Sequence, residues 1–331
     1  MKILYAIQAT GNGHISRAKQ IIPFLEHYGK VDVMLSGTNA SLVTDLQPKF
    51  KSSGLSLFYK SDGGISYKDI LFKNKFVSFL QDAHELPVED YDMVINDFDA
   101  VTALACKLKK KKCVHVGHQT SFASAQVPRP QTKERLGEWV LKNYAPSTIN
   151  LGFHFESYDD FVLPPIIKQE IVDAQPTDKG HICVYLPAFA KETLIEAFQK
   201  VEGVAFEWFI PGQSEEEQIK NVKCLPTSYE GFTESLIHCH GVITGAGFET
   251  PAEALYLQKR LMATPIANHY EQKCNAAALK KIGVKVLDKI DPITFHDEIK
   301  EWLVRPFLNY KQQANDIETT IKKIMELGKM N

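Results

Sequence analysis

At 331 residues the chain is long enough for two domains, each burying its own core. Hydrophobic residues make up 44% and charged residues 24%, the proportions of an ordinary globular protein. A formal net charge of −2 excludes sequence-independent nucleic-acid binding, which needs a basic surface. Six cysteines (Cys106, Cys113, Cys183, Cys224, Cys239, Cys274) are scattered with no CxxC pair. Most lie in apolar runs, which predicts free thiols, a reducing compartment and no structural metal. The opening MKILYAIQATGNGH turns Gly-rich too soon for a signal peptide, and no run of about 18 apolar residues exists. The expectation is a cytoplasmic chain.

Taken in order, Lys2 to Gln8 predicts a buried strand, and Ala9 to His14 a turn into a helix from Ile15 to His27. Strands follow at Val31 to Ser36 and Leu55 to Tyr59. The pattern weakens from Asp62 to Glu89, around an amphipathic stretch from Ile70 to Leu80 carrying Phe72, Phe76, Val77 and Phe79. Tyr91 to Asn96 predicts a strand, Ala100 to Lys107 a helix and Cys113 to Gly117 a strand. This alternation means a parallel sheet with crossover helices. Five prolines break the rhythm between Ala125 and Pro165, and a domain boundary is expected near the end of that region. A second series then begins, with strands at His181 to Leu186, Ala205 to Ile210 and Val222 to Leu225. Helices are expected at Lys191 to Gln199 and Phe232 to His238. After Gly283 come the apolar run Val284 to Leu287 and helices from Thr294 to Leu303 and from about Phe307 to Leu327.

Between them lies the most informative stretch, Gly241 to Gly283. It opens with an apolar strand, Gly241 to Thr244, followed by the turn Gly245-Ala246-Gly247 and a helix from Thr250 to Gln258. Glycine lets backbone approach a ligand closely, and a helix start behind it directs unpaired N–H groups and partial positive charge at an anion. Glu253 sits one turn in, where a carboxylate can accept from two adjacent sugar hydroxyls. A second strand, Leu261 to Ala263, ends in Thr264-Pro265, and Glu271-Gln272 opens the next helix on the same side. Two such junctions make a nucleotide crevice in an open α/β sheet. An ordinary strand–helix–strand unit with polar loops satisfies the same pattern.

This stretch resembles the donor-binding motif of nucleotide-sugar-dependent glycosyltransferases of GT-B fold. UDP-glycosyltransferases and the transferase that adds N-acetylglucosamine to the peptidoglycan lipid precursor are the nearest in pattern. The resemblance implies an α/β architecture of two Rossmann-like domains facing across a cleft. It places an acceptor domain at residues 1–165, a donor domain at 166–305, and at 306–331 a terminal helix crossing back to the first domain. It assigns the donor to Gly245, Ala246, Gly247, Phe248, Glu249 and Thr250 at the turn, Glu253 at the ribose, and Glu271-Gln272 at the sugar, followed by Asn275-Ala276. Phe232 falls beside the nucleobase in this scheme, with a helix core contact as its other reading. Two departures stand out. Many relatives carry His or Arg where this chain has Gly245, and Glu249 replaces a more usual neutral residue. The loop Pro187-Ala188-Phe189-Ala190 also lacks the Gly-Gly-Ser phosphate loop of some relatives, leaving Lys191 nearby.

The amino-terminal loop supplies the second site. Gly11 and Gly13 flank Asn12 before His14, which lifts an imidazole to the carboxyl edge of the first strand. Histidine suits a general base because its ordinary pKa, about 6.5, lies near working pH. The resemblance implies that role for His14, with the two glycines at the donor; a helix cap or a phosphate contact are its other readings. A base histidine needs a carboxylate to fix its tautomer, and Asp97 after the Tyr91 strand matches the family position. Asp99 reads as a cap for the helix at Ala100. Asp97-Phe98-Asp99 also spells DxD, a metal motif of a different transferase fold, but it lies outside the donor half, so no metal and no cofactor is expected. His118 and Gln119 follow the Cys113 strand where the resemblance implies acceptor contacts.

The run Lys107 to Lys112 complements a helix C-terminus and reads as a solvated turn. The Phe-rich stretch with Lys68, Lys73 and Lys75 is consistent with an acceptor cover or a membrane-surface helix, and hence with peripheral contact at the inner face of a membrane. The expected function is inverting, metal-independent transfer of a hexosyl group from a nucleotide-diphosphate sugar, UDP first, to a hydroxyl of a glycan, lipid or small molecule. A nucleotide-sugar 2-epimerase of the same fold and a non-catalytic nucleotide-binding protein remain as alternatives. Nucleic acid is not an expected partner.

Overall fold

The computed structural model of the chain describes residues 1–9, 12–37, 46–55 and 76–329. Two seven-stranded sheets organise it. The first is built from β1 (Lys2–Gln8), β2 (Lys30–Ser36), β3 (Phe50–Ser52), β4 (Met93–Asp97), β5 (Val114–Gly117), β6 (Ile149–Phe153) and β7 (Val162–Leu163). Its strand order is β3-β2-β1-β4-β5-β6-β7, and every pair is parallel. The second runs through β8 (His181–Tyr185), β9 (Ala205–Ile210), β10 (Glu217–Ile219), β11 (Val222–Pro226), β12 (Gly241–Gly245), β13 (Arg260–Thr264) and β14 (Lys285–Val286). Its order is β10-β11-β9-β8-β12-β13-β14, parallel except for the β10–β11 hairpin. β1 is buried from Ile3 to Gln8 because helices cover both faces of a parallel sheet, which explains its unbroken apolar run.

In chain order the helices are α1 (Asn12–Glu26), α2 (Phe76–Glu85), α3 (Ala100–Leu108), α4 (Arg135–Asn143), α5 (Gln169–Val172), α6 (Lys191–Gln199), α7 (Tyr229–His238), α8 (Glu249–Tyr256), α9 (Tyr270–Lys281), α10 (Phe295–Val304) and α11 (Ile317–Lys329). One apolar cluster runs from Ile3, Tyr5 and Ile7 of β1 through Ile15 and Ile21 of α1 to Ile321 and Ile324 of α11, and reaches Phe248 and Leu255 of the second half. Further clusters fill the other face of each sheet.

Several expectations are corrected. α1 starts at Asn12, so Gly13 and His14 belong to its first turn rather than to the turn before it. The third strand lies at Phe50–Ser52 and ends before Gly54, whose φ of +55° turns the chain; residues 56–59 of the strand expected from Leu55 lie outside the described residues. Of the stretch from Ile70 to Leu80, residues 70–75 and the lysines at 68, 73 and 75 also lie outside them, and Phe76 to Leu80 open α2. The proline-rich region carries α4, β6 and β7, because its prolines fall between those elements and leave their backbone N–H groups free to pair. Residues 306–316 are not helical, and the last helix begins only at Ile317.

Candidate active site

Strand order places the site. In the first sheet the connections diverge between β1 and β4, and in the second between β8 and β12. Such switch points leave a crevice at the carboxyl ends of the strands. Ile7 of β1 pairs with Asp97 of β4, so the start of α1 and the end of β4 meet there. Thr244 of β12 pairs with Tyr185 of β8, so the Gly245 turn opens at the corresponding point of the second sheet.

His14 and Asp97 come together as the sequence suggested. His14 Nδ1 lies 2.7 Å from Asp97 Oδ1, and Asp97 is fully buried. Arg17, one turn along α1, clamps the same carboxylate through Nε to Oδ2 at 2.9 Å and Nη2 to Oδ1 at 2.8 Å. Burial alone would raise the Asp97 pKa; Arg17 and His14 outweigh it and hold the carboxylate at about 2. An ionised Asp97 only accepts hydrogen bonds, so the contact calls for a proton on His14 Nδ1, and in that neutral tautomer Nε2 is the acceptor; Arg17 Nη2 also lies 3.1 Å from Nδ1. Gln119 Nε2 sits 3.5 Å from His14 Nε2. Gly117 makes room for the pair: a Cβ there would come within 2.7 Å of Asp97 Oδ1. Phe98, between the two acidic residues, takes a positive φ of 58°, which turns Asp97 toward α1 and Asp99 toward α3. Asp99 caps α3 by accepting from Thr102 N at 2.6 Å and also holds Ser36 Oγ. Both carboxylates of the DxD sequence are thus committed to protein partners.

Arg17 also reaches the other half. Its Nη1 donates to Glu249 in the first turn of α8, an ion pair spanning the cleft. Burial drives the Glu249 pKa upward, Arg17 opposes this, and Glu253 and Asp97 add to it; the result is about 7. Among the described residues no side chain caps α8, so its first-turn N–H groups are open to a ligand or solvent. Ala246 N–H is not among them, since it donates to Thr264 O at 2.8 Å.

The cleft is open to solvent and holds a cavity of about 100 Å³. Gly13, Phe232, Glu249, Thr250 and Glu253 line it, all named from sequence. Phe232 is half-buried and packs on Tyr185, with ring centroids 5.5 Å apart. Lys168, Tyr185, Thr227 and Ser228 also line the cleft and were not foreseen. Lys168 Nζ lies 3.3 Å from Glu253 Oε1, partly offsetting the burial that raises the Glu253 pKa. Gly11 lies outside the described residues.

The remaining candidates knit the two halves together. His118 is 1% exposed, stacks on Phe248 with centroids 4.0 Å apart, and bridges Phe153 O at 2.9 Å and Asn275 at 2.8 Å. Gln119 Nε2 donates to Glu271 at 3.1 Å. Gln272 Oε1 accepts from Ile266 N at 2.9 Å and so braces the loop after β13. Gly247 has no neighbour within 4 Å of a would-be Cβ, and Gly245 meets only Gln272 and Thr264 at 3.8 Å. Lys191 pairs with Glu217 at 2.6 Å. Arg17 was likewise not foreseen; its signal is its spacing, three residues after His14 and on the same helix face.

Solved structures with this architecture include the spinosyn forosaminyltransferase SpnP, 13% identical with a TM-score of 0.62 over 99% of each chain. LpCGTa in complex with UDP is 15% identical with a TM-score of 0.59, over 98% of this chain and 93% of that one. MurG of Acinetobacter baumannii is 14% identical with a TM-score of 0.53, over 98% and 99%. These likenesses show the fold, two facing sheets of the GT-B type. No curated protein matches the chain. A family model described as glycosyl transferase family 1 matches residues 1–305. With that match over most of its length, the chain belongs to glycosyl transferase family 1 and is a glycosyltransferase of GT-B fold.

Proposed function

We propose that the chain transfers a hexosyl group from a nucleotide-diphosphate sugar to a hydroxyl acceptor with inversion, without a metal ion. The observation that carries this reading is the buried His14–Asp97 pair at one switch point, facing the uncapped start of α8 at the other. His14 Nε2 takes the acceptor hydroxyl proton as that oxygen bonds to the anomeric carbon. The bond from that carbon to the diphosphate breaks on the opposite face, and its electron pair leaves on the nucleoside diphosphate. Asp97 holds the imidazolium that forms. The Gly245–Thr250 turn takes the diphosphate, Glu253 the ribose, Phe232 the base, and Glu271-Gln272 the sugar. Gln119 stands on the acceptor side, where it approaches His14, and His118, buried with both ring nitrogens engaged, holds that loop in place instead of touching the acceptor. Residues 1–165 form the acceptor domain and 166–305 the donor domain, with 306–331 tying the second to the first. Closure of the cleft keeps out water, which competes as acceptor.

UDP is the first donor nucleotide to test, since one structure of this fold holds it. A lipid-linked acceptor is consistent with Val77 and Leu80 of α2, which are exposed on the first half. Among the described residues no helix is long and apolar enough to cross a membrane, so such contact would be peripheral.

The test is His14→Ala. Turnover is expected to fall by about 10²-fold or more while UDP affinity stays within a few-fold. Equal loss of both removes the base role. The Glu249 carboxylate beside the diphosphate turn favours one other reading, nucleotide binding without turnover, which the same assay on the parent chain decides.

A further inference from the structure

Among the described residues lining the cleft, the single cation is Lys168, and Glu253 pairs with it at 3.3 Å. A departing diphosphate carries more charge than this arrangement balances. Arg17 lies just behind the cleft wall, 4% exposed, with Nη1 on Glu249. Glu249 in turn occupies the first turn of α8, where unpaired N–H groups favour an anion. It is also pressed against the first half: a Cβ on Gly13 would come within 3.0 Å of Glu249 Cγ. A helix start, a guanidinium and a close glycine are what a phosphate group would meet, and a carboxylate sits among them.

We propose that Glu249 and the donor's diphosphate compete for the same place at the start of α8, and that the incoming diphosphate displaces Glu249 and takes Arg17 as its cation. The proposal rests on the nucleotide-sugar reading of the site and names the cation that Gly245 does not provide. Arg17 contributes charge and position only, with no proton leaving it. Because its Nε and Nη2 stay on Asp97, the diphosphate is coupled through one side chain to the carboxylate that orients His14. The donor would therefore tighten the acceptor-activating pair as it arrives.

The groups facing Glu249 are Arg17 and His14 from α1, Asp97 from the end of β4, and Glu253 on its own helix with Lys168 beside it. Losing Arg17 to the diphosphate leaves Glu249 among Glu253, Asp97 and two phosphates, so it takes up a proton. Its pKa of about 7 while paired with Arg17 makes that uptake accessible near neutrality. UDP affinity should accordingly weaken as pH rises from about 7 to 8.5.

The experiment is calorimetric titration of UDP, inorganic pyrophosphate and uridine, with dTDP and GDP beside them, into the parent protein, Glu249→Gln, and Glu249→Gln combined with Arg17→Gln, between pH 6 and 8.5. E249Q is expected to bind UDP and pyrophosphate about tenfold more tightly at pH 8, about 1.4 kcal/mol, with a flattened pH dependence. Uridine should bind both proteins alike, which a general loosening of the cleft would not give. Removing Arg17 in the E249Q background should erase the gain. The proposal is overturned if E249Q binds UDP no more tightly than the parent, or if its gain survives the loss of Arg17. Should the double variant fail to fold, the E249Q titrations alone decide. If UDP, dTDP and GDP bind neither the parent nor E249Q, the nucleotide-sugar reading itself fails, an outcome distinct from either of the others.

Discussion

Asp97 and Glu249 are two carboxylates on one guanidinium, yet their environments push them apart. Arg17 gives Asp97 two hydrogen bonds and Glu249 one, and His14 adds a third bond to Asp97 alone. Asp97 is therefore ionised at all working pH, whereas Glu249 titrates near 7. The signs of the two linkages are opposite. Asp97, lowered to about 2, adds stability that is present above its unfolded pKa of about 3.8 and is lost as pH falls toward 2. Glu249, raised to about 7, favours the folded state most below its unfolded value of about 4.5, and that contribution is lost as pH rises through 7. Thermal melts should thus show E249Q more stable than the parent at pH 8 by a few degrees, the gap closing toward pH 5. A gap that is constant with pH would mean Glu249 does not titrate in this window. His14 and Asp97 were legible through the family resemblance, because the loop after the first strand and the end of the Tyr91 strand match its positions; the local pattern alone also allows a helix cap or a phosphate contact. Arg17 was not legible, since an arginine one helical turn along reads as a solvated side chain until the sheet order brings Asp97 beneath it.

At the scale of elements, the loop from β4 to α3 does the positioning. It holds Phe98 at a positive φ, which a bulky residue adopts only at a cost, and Phe98 is retained there by stacking on Tyr144 at 4.8 Å. The compensating bond is the Asp99 cap on α3, with its carboxylate fully buried against Thr102 N and Ser36 Oγ. Asp99→Ala should cost about 1–2 kcal/mol from the lost cap, Ser36 Oγ keeping Gln8 Oε1 as an acceptor at 3.0 Å, while Asp99→Asn keeps most of that stability. Denaturant melts compare the two, and equal losses would show that charge rather than capping holds the loop. The cap was readable from the Asp before an apolar helical run. β6, β7 and α4 were not, because prolines at both ends of short elements look locally like a linker, and only pairing of Ile149 with Val114 shows that the sheet continues. The hairpin strand β10 was missed for a related reason, since EQI carries little apolar signal and owes its place to pairing with β11.

On the scale of the whole molecule, the family match ends at residue 305, yet the core does not. Past Arg305 the chain runs back to the first sheet. Gln312 Nε2 and Tyr310 Oη both donate to Phe155 O at 2.8 Å, and Asn315 N donates to Pro165 O at 2.9 Å. α11 then lays Ile317, Ile321, Ile324 and Met325 into the cluster that includes β1 and α1. α1 carries His14 and Arg17, so the terminal helix braces the element on which both site residues stand. Four buried apolar side chains at about 1.5–3 kcal/mol each would contribute on the order of 6–12 kcal/mol, an upper figure because the unfolded chain also buries surface. That is comparable with the whole stability of a domain. A chain ending at Arg305 is therefore expected to be insoluble, or to melt more than about 10 °C below the full chain. Because aggregation alone is ambiguous, Ile324→Ala in the full chain gives the graded test. It should cost about 2–5 kcal/mol and weaken UDP-dependent stabilisation no more than the fold itself. A truncated chain melting within a few degrees of the full one would show that α11 rests on the first half without supporting it. The alternative outcome would place the helix that crosses back between the halves among the determinants of the site, because what it holds in register is the turn bearing His14.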